Sequence, residues 1–155
     1  EVTVTFSPNM AADYACVSFL DVSGKQERLP LQLKGEGIGP KAVLSYNVLD
    51  IGDVFVNSVH KYELVLQNCG DIPASFSLQT VNSSYGPKFE FLPNAGTLGV
   101  NEEEVITVTF KSSALGEFSE NFDFRLAGSD DPLSIHFKGH VIGPTFHFDA
   151  DEIDL

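Results

Sequence analysis

The feature that most restricts this chain is a phrase that occurs twice. Residues 33–40 read LKGEGIGP and residues 137–144 read FKGHVIGP, an offset of 104 (137 − 33). The same shift, without a gap, lays Thr3-Val4-Thr5-Phe6 on Thr107-Val108-Thr109-Phe110. It lays Leu29, Leu31 and Leu33 on Leu133, Ile135 and Phe137, Gly24 on Gly128, and Tyr14 on Phe118. Beyond the shared Gly-Pro, Leu44 meets Phe148 and Asp50 meets Asp154. One octapeptide matching by chance would not also align alternating apolar positions on both sides of it, so the offset marks an internal repeat. A period of this length suits a domain with its own core and is too long for a short-repeat solenoid. Residues 41–144 are therefore expected to form one complete unit. Residues 1–40 are expected to be the C-terminal part of a preceding unit, and 145–155 the first strand of a following one, so that the chain is a window on a longer array.

Within the unit, period-two alternation dominates and helical spacing is nearly absent. Tyr62, Leu64 and Leu66 share one face of Val59–Leu66, as do Phe76 and Leu78, Phe89 and Phe91, and Ile106, Val108 and Phe110. Phe118, Phe122, Phe124 and Leu126 share a parity, and Leu133, Ile135 and Phe137 end the series. With a strand near Ala42–Tyr46, about seven strands are predicted. The breaks are turn-like: Asn68-Cys69-Gly70-Asp71 before Pro73, Pro93-Asn94-Ala95-Gly96, and Gly128-Ser129-Asp130-Asp131-Pro132. Seven short strands in about a hundred residues fit an all-β, immunoglobulin-like antiparallel sandwich. The absence of Trp argues against an antibody-type domain. Lys34-Gly35 and Lys138-Gly139 are expected to close the last strand of each unit. Gly39-Pro40 and Gly143-Pro144 then form a stiff joint between neighbouring sandwiches.

Charge narrows the partners. A formal net charge of −13, with no cluster of Lys or Arg, disfavours nucleic acid and anionic membrane surfaces. The two cysteines, Cys16 and Cys69, fall in different units, so two unpaired thiols in a reducing compartment are expected. No signal peptide or long apolar run is visible. The glycosylation sequon at Asn82-Ser83-Ser84 reads as accidental in an intracellular chain.

Residues 49–78, LDIGDVFVNSVHKYELVLQNCGDIPASFSL, resemble the opening of the domains shared by abnormal-spindle protein, the centrosomal SPD-2 protein and hydin. The shared pattern is an apolar-Asp-apolar-Gly-x-Val opening, here Leu49-Asp50-Ile51-Gly52-Asp53-Val54. A strand ending in Asn68-Cys69-Gly70 follows, then Pro73 and Phe76, and later Thr-Val-Thr-Phe and the closing Lys-Gly-x-x-x-x-Pro. This domain family is similar to the PapD and major sperm protein sandwiches, and tandem units of this length most resemble hydin-type ciliary arrays. The resemblance implies a non-catalytic scaffold of the ciliary axoneme, in the cytoplasm and cytoskeleton, supporting motility. Its implied partners are other proteins of the central-pair apparatus, neighbouring units of the same chain and, indirectly, microtubules. It implies no cofactor. The alternative is an adaptor of the major sperm protein type that binds a peptide by strand addition. A third possibility, a periplasmic pilus chaperone, lacks identifiable carboxylate-anchoring basic residues and does not suit a tandem array.

No residue set for catalysis, cofactor or metal is expected. Of the four histidines, His60, His136, His140 and His147, His136 and His140 share a strand face. Four residues along a strand separate them by about 13 Å, too far to chelate one ion. Glu102-Glu103-Glu104 reads as a solvated turn and edge guard. Asp149, Asp151, Glu152 and Asp154 lack the glycine and closing glutamate of a calcium loop.

Overall fold

The computed structural model describes residues 1–145. The expected opening strand of a following unit at 145–155, His147 and the acidic run Asp149–Asp154 thus lie outside the described residues, Thr145 apart. Eleven strands are present among them: β1 (Asp13–Leu20), β2 (Leu29–Glu36), β3 (Ala42–Leu44), β4 (Val48–Phe55), β5 (His60–Asn68), β6 (Ala74–Leu78), β7 (Phe89–Leu92), β8 (Ala95–Leu98), β9 (Glu103–Phe110), β10 (Gly116–Leu126) and β11 (Leu133–Ile142). Strands β1 and β2 form a separate hairpin. The rest form two sheets, β4-β11-β10-β6-β8 and β3-β5-β9-β7. The all-β sandwich is as expected, with two more strands in the unit than the seven predicted.

The additional strands have clear causes. Residues 42–55 do not make one strand near the start but two. The chain pairs with β5 through β3, crosses between the sheets at Ser45–Asn47, and joins β11 as β4. The predicted turn at Pro93–Gly96 holds β8, because Ala95 and Gly96 pair with Ser77 and Phe76 of β6. The sandwich is also not wholly antiparallel, since β4 runs parallel to β11. Finally, Lys138-Gly139 does not close the last strand. β11 continues to Ile142, because the parallel partner β4 extends along it as far as Phe55.

The alternation sets the core. Ile106, Val108 and Phe110 of β9, Leu64 and Leu66 of β5, and Phe89 and Phe91 of β7 face inward from one sheet. Phe118, Phe122 and Phe124 of β10 and Ile135, Phe137 and Val141 of β11 face them from the other. Burying this much aromatic surface is the main stabilising term. Phe89 sits at the hub, with ring centroids 4.5 Å from Phe110, 5.0 Å from Phe122 and 5.1 Å from Phe137.

The hairpin β1–β2 repeats the hairpin β10–β11. Every β1–β2 pair, from Asp13↔Glu36 to Leu20↔Leu29, maps at an offset of 104 onto a β10–β11 pair, from Glu117↔His140 to Phe124↔Leu133. Their turns match too. Gly24 has φ 87° and Gly128 has φ 89°. Lys25 N–H donates to Val22 O at 3.0 Å, and Ser129 N–H to Leu126 O at 3.1 Å. The ring pair Phe6–Tyr14, at 5.4 Å, stands where Phe110–Phe118 stands at 4.9 Å.

Candidate interaction surfaces

The histidines are dispersed. His60 opens β5, with its ring Nε2 buried and without a hydrogen-bond partner. His136 stands on the outer face of β11, between Asn121 Oδ1 at 2.7 Å and Ser119 Oγ at 3.2 Å. Farther along that strand, His140 Nδ1 lies 3.2 Å from Asp53 Oδ1. Among the described residues, His60, His136 and His140 are thus placed separately, and no two of these histidines come together.

A shallow polar groove does form on the outer face of the β4–β11–β10 layer, lined by Asp50, Asp53, Glu117, Ser119, Lys138 and His140. The sequence Asp50-Ile51-Gly52-Asp53 builds it. Between Lys138↔Asp50 and His140↔Asp53 the β4 ladder carries one extra residue, a bulge. Gly52 supplies the positive φ of 64° that the bulge needs, and the Asp50 carboxylate accepts the Gly52 N–H at 3.0 Å. The bulge turns both Asp50 and Asp53 outward, beside Lys138 and His140. The Gly52 N–H, helped by Lys138 Nζ at 3.4 Å, holds the Asp50 carboxyl below the usual aspartate value.

That shift has a defined sign. The unfolded chain takes up the proton first on acidification, so the contribution of Asp50 is complete above the ordinary aspartate pKa of about 3.9 and is lost as pH falls through the lower folded value. A carboxyl NMR titration should place the Asp50 midpoint below about 3.9. Replacing Asp50 by Asn should flatten the acid limb of the stability profile, and an unchanged limb would count against the bulge contact.

Two buried polar groups carry structural weight that the alternation alone did not reveal. Asn68 is fully buried. Its Nδ2 donates to the carbonyls of Ile72 (2.9 Å), Gly99 (2.9 Å) and Leu98 (3.2 Å), and its Oδ1 accepts the Gly70 N–H at 2.9 Å. Glu120 is buried on the inward parity of β10, between Phe118 and Phe122. It accepts from Ser83 Oγ at 2.6 Å and from Tyr85 N–H at 3.3 Å. Its parity between two core phenylalanines was the available signal. Ser83, part of the sequon, thus serves Glu120. Glu102 of the acidic run accepts the Gly99 N–H at 2.6 Å and fastens a turn. Glu103 and Glu104 pair with Gln67 and Leu66 of β5, whereas β7 covers β9 only over Thr107–Phe110, so among the described residues this end of β9 has no strand partner on its other side. Cys16 and Cys69 are free, exposed thiols.

Of the surfaces open among the described residues, three bear on partners. The outer edge of β4 is open, with Val48 and Phe55 exposed. The outer edge of β7 is open as well, with Leu92 exposed. The third is the joint at Gly39-Pro40. There the β10–β11 turn meets the linker and the loop before β1, and Asn9, Met10, Ala11, Gly39, Pro40 and Gly128 line one shallow depression. A Cβ placed on Gly39 would lie 2.9 Å from Ala11 Cβ, and one placed on Gly128 would lie 3.5 Å from Pro40 Cδ. The close approach at Gly39 leaves no room for a side chain, whereas Gly128 is required by its positive φ of 89° rather than by the contact with Pro40. Lys41, next in the chain, is tied back to the body of the unit by its carbonyl, which accepts the Cys69 N–H at 2.9 Å.

Residues 40–140 match the family model described as HYDIN/CFA65/VesB-like, Ig-like domain. The chain is 42% identical over 150 residues to the hydrocephalus-inducing protein homolog of Homo sapiens, a match covering 97% of this chain and 3% of that protein. It is 30% identical over 166 residues to cilia- and flagella-associated protein 74 of Chlamydomonas reinhardtii, covering 94% of this chain and 8% of that one. The chain therefore spans only a small part of the length of the relatives it matches. Among solved structures, it resembles the ASH/PapD-like domain of human CEP192 (PapD-like domain 7) with a TM-score of 0.61 at 14% identity, covering 81% of this chain and all of that one. That likeness bears on the fold.

Proposed function

The chain belongs to the HYDIN/CFA65/VesB-like family of Ig-like domains, and from that membership we propose that it is a scaffold segment of a long tandem array in the ciliary axoneme. It acts there through protein–protein contacts and without chemistry of its own. In this reading residues 41–144 are one complete module, residues 1–40 close the module before it, and residues from 145 onward open the next. The observation that carries the reading is the repetition of the β10–β11 hairpin by β1–β2 in identical register, joined through Gly39-Pro40 without a flexible spacer. Relatives many times longer than this chain support an array, and the ciliary name of the algal relative supports the compartment. The central-pair apparatus is the proposed location, and its proteins are the proposed partners.

Tagging the parent protein in a motile ciliated cell and averaging axonemes by electron cryo-tomography tests this. Density on a central-apparatus projection, lost together with normal beating when the segment is deleted, is the expected result. A tag spread through the cell body with unaltered beating would refute it. A second reading, peptide capture by strand addition, is favoured by the open outer edge of β4, whose eight residues end in exposed Val48 and Phe55.

A further inference from the structure

Among the described residues, the joint occurs once in occupied form and once in open form. At an offset of 104, Ala11, Gly39 and Pro40 correspond to Leu115, Gly143 and Pro144. The geometry corresponds too. A Cβ on Gly39 would meet the Ala11 side chain at 2.9 Å, and a Cβ on Gly143 would meet the Leu115 side chain at 3.2 Å. In the first copy the Gly128 turn rests against Pro40. In the second copy Leu115 is 61% exposed. The reciprocal element is open at the other end of the chain. A Cβ on Gly24, which holds the same turn conformation as Gly128, would have nothing within 4 Å.

We propose that Leu115, Gly143 and Pro144 form a docking seat for the β10–β11 turn of a following copy of this unit. That turn enters as Gly128–Asp131 enters the Gly39-Pro40 depression. The proposal rests on the array reading and adds to it the surface by which one module fixes the next. Three features of the seat favour this occupant. Its turn-facing glycine leaves room for close backbone approach. Its proline presents a rigid apolar face to a residue without a side chain. Its loop is preset: Ser112 Oγ accepts the Ala114 N–H at 3.1 Å and donates to Ala114 O at 2.9 Å, and Tyr85 Oη donates to Leu115 O at 3.1 Å. Leu115 replaces the smaller Ala11 and gives this seat more apolar surface to cover. At the position of Lys41, which lines the first depression beside Asp130 and Asp131, the second copy has Thr145. The second contact is thus expected to depend less on salt than the first.

The test carries the whole chain past Pro144 with a second copy of residues 41–155 and follows amide hydrogen exchange against the original chain. Exchange over Ser113–Leu115 should slow by about tenfold or more in the extended chain, a loss of local opening that tertiary cover produces. Leu115→Glu or Gly143→Val should restore the fast rate while both copies keep their strand protection. Leu115→Glu alters an exposed side chain, so folding of the original chain should be unaffected. Fast exchange at Ser113–Leu115 beside a well-protected second copy would overturn the docking seat and leave the array standing. A second copy without strand protection would overturn the array reading and the seat together. Slowing that grows with concentration in the original chain would assign the surface to contacts between separate molecules and also overturn the proposal. The axonemal placement stands or falls by the imaging experiment alone.

Discussion

Replacing Phe110 or Phe124 by alanine is expected to lower the unfolding free energy by about 3–5 kcal/mol, the range for deleting a large buried side chain without collapse of the cavity. Both rings are essentially inaccessible to water. Phe110 projects from β9 against Phe89 at 4.5 Å and Phe118 at 4.9 Å, so its removal opens a void between the two sheets. Phe124 projects from β10 against Phe91 at 5.9 Å and Phe76 at 6.2 Å, near the β6 side of the same layer. The two rings belong to one aromatic cluster, linked through Phe89, Phe122 and Phe91, but share no direct ring partner, so the double substitution should depart only modestly from additivity. Urea unfolding with an unchanged slope measures each effect. A loss under about 1 kcal/mol at either site would contradict their burial between the layers.

Asn68→Ala should be of similar size, about 3 kcal/mol or more, because each buried polar group left without a partner costs roughly 1–3 kcal/mol. The substitution strands the carbonyls of Ile72, Leu98 and Gly99 and the N–H of Gly70 at one place. These belong to two different turns, one after β5 and one after β8, so the side chain joins segments that the ladders alone leave apart. Asn68→Asp makes a sharper test. An ionised carboxylate would face three carbonyl oxygens, which pushes its folded pKa up. A carboxyl whose folded pKa is raised binds its proton more tightly in the folded state, so this variant should gain stability as pH falls through the raised value and lose it as pH rises. The alanine variant should lack that dependence. Denaturation of both variants between acid and neutral pH reads the difference, and identical profiles would mean that the carboxyl is not held against those carbonyls.

The core was legible because it rests on strand parity, a local property. Phe76, Phe89, Phe91, Phe110, Phe122 and Phe137 occupy inward positions that alternation alone specified. The repeat was equally legible, down to the paired turn glycines Gly24 and Gly128. What escaped depends on contacts distant in sequence. β8 looks like a turn because Asn94 and Gly96 are turn residues, yet β6 supplies it with a ladder. The division of residues 42–55 into β3 and β4 follows from two partners, β5 and β11, that lie far along the chain. Asn68 reads as a turn former and serves as a buried clamp, because only the fold brings Leu98 and Gly99 to it. The candidate surfaces followed the same division. The Gly-Pro joint was visible as a phrase, whereas the groove at Asp50 and Asp53 needed the bulge that sets both carboxylates beside β11.

The parallel course of β4 and β11 has a mechanical consequence. One strand lies near the start of the module and the other at its end, and they are partners. Traction that draws residues 40 and 144 apart slides one along the other in shear instead of peeling them open. The ladder from Val48–His136 to Phe55–Ile142 then bears the load together and has to yield as a set. Endurance under repeated bending is governed by how slowly that set gives way, a rate of rupture, rather than by equilibrium stability.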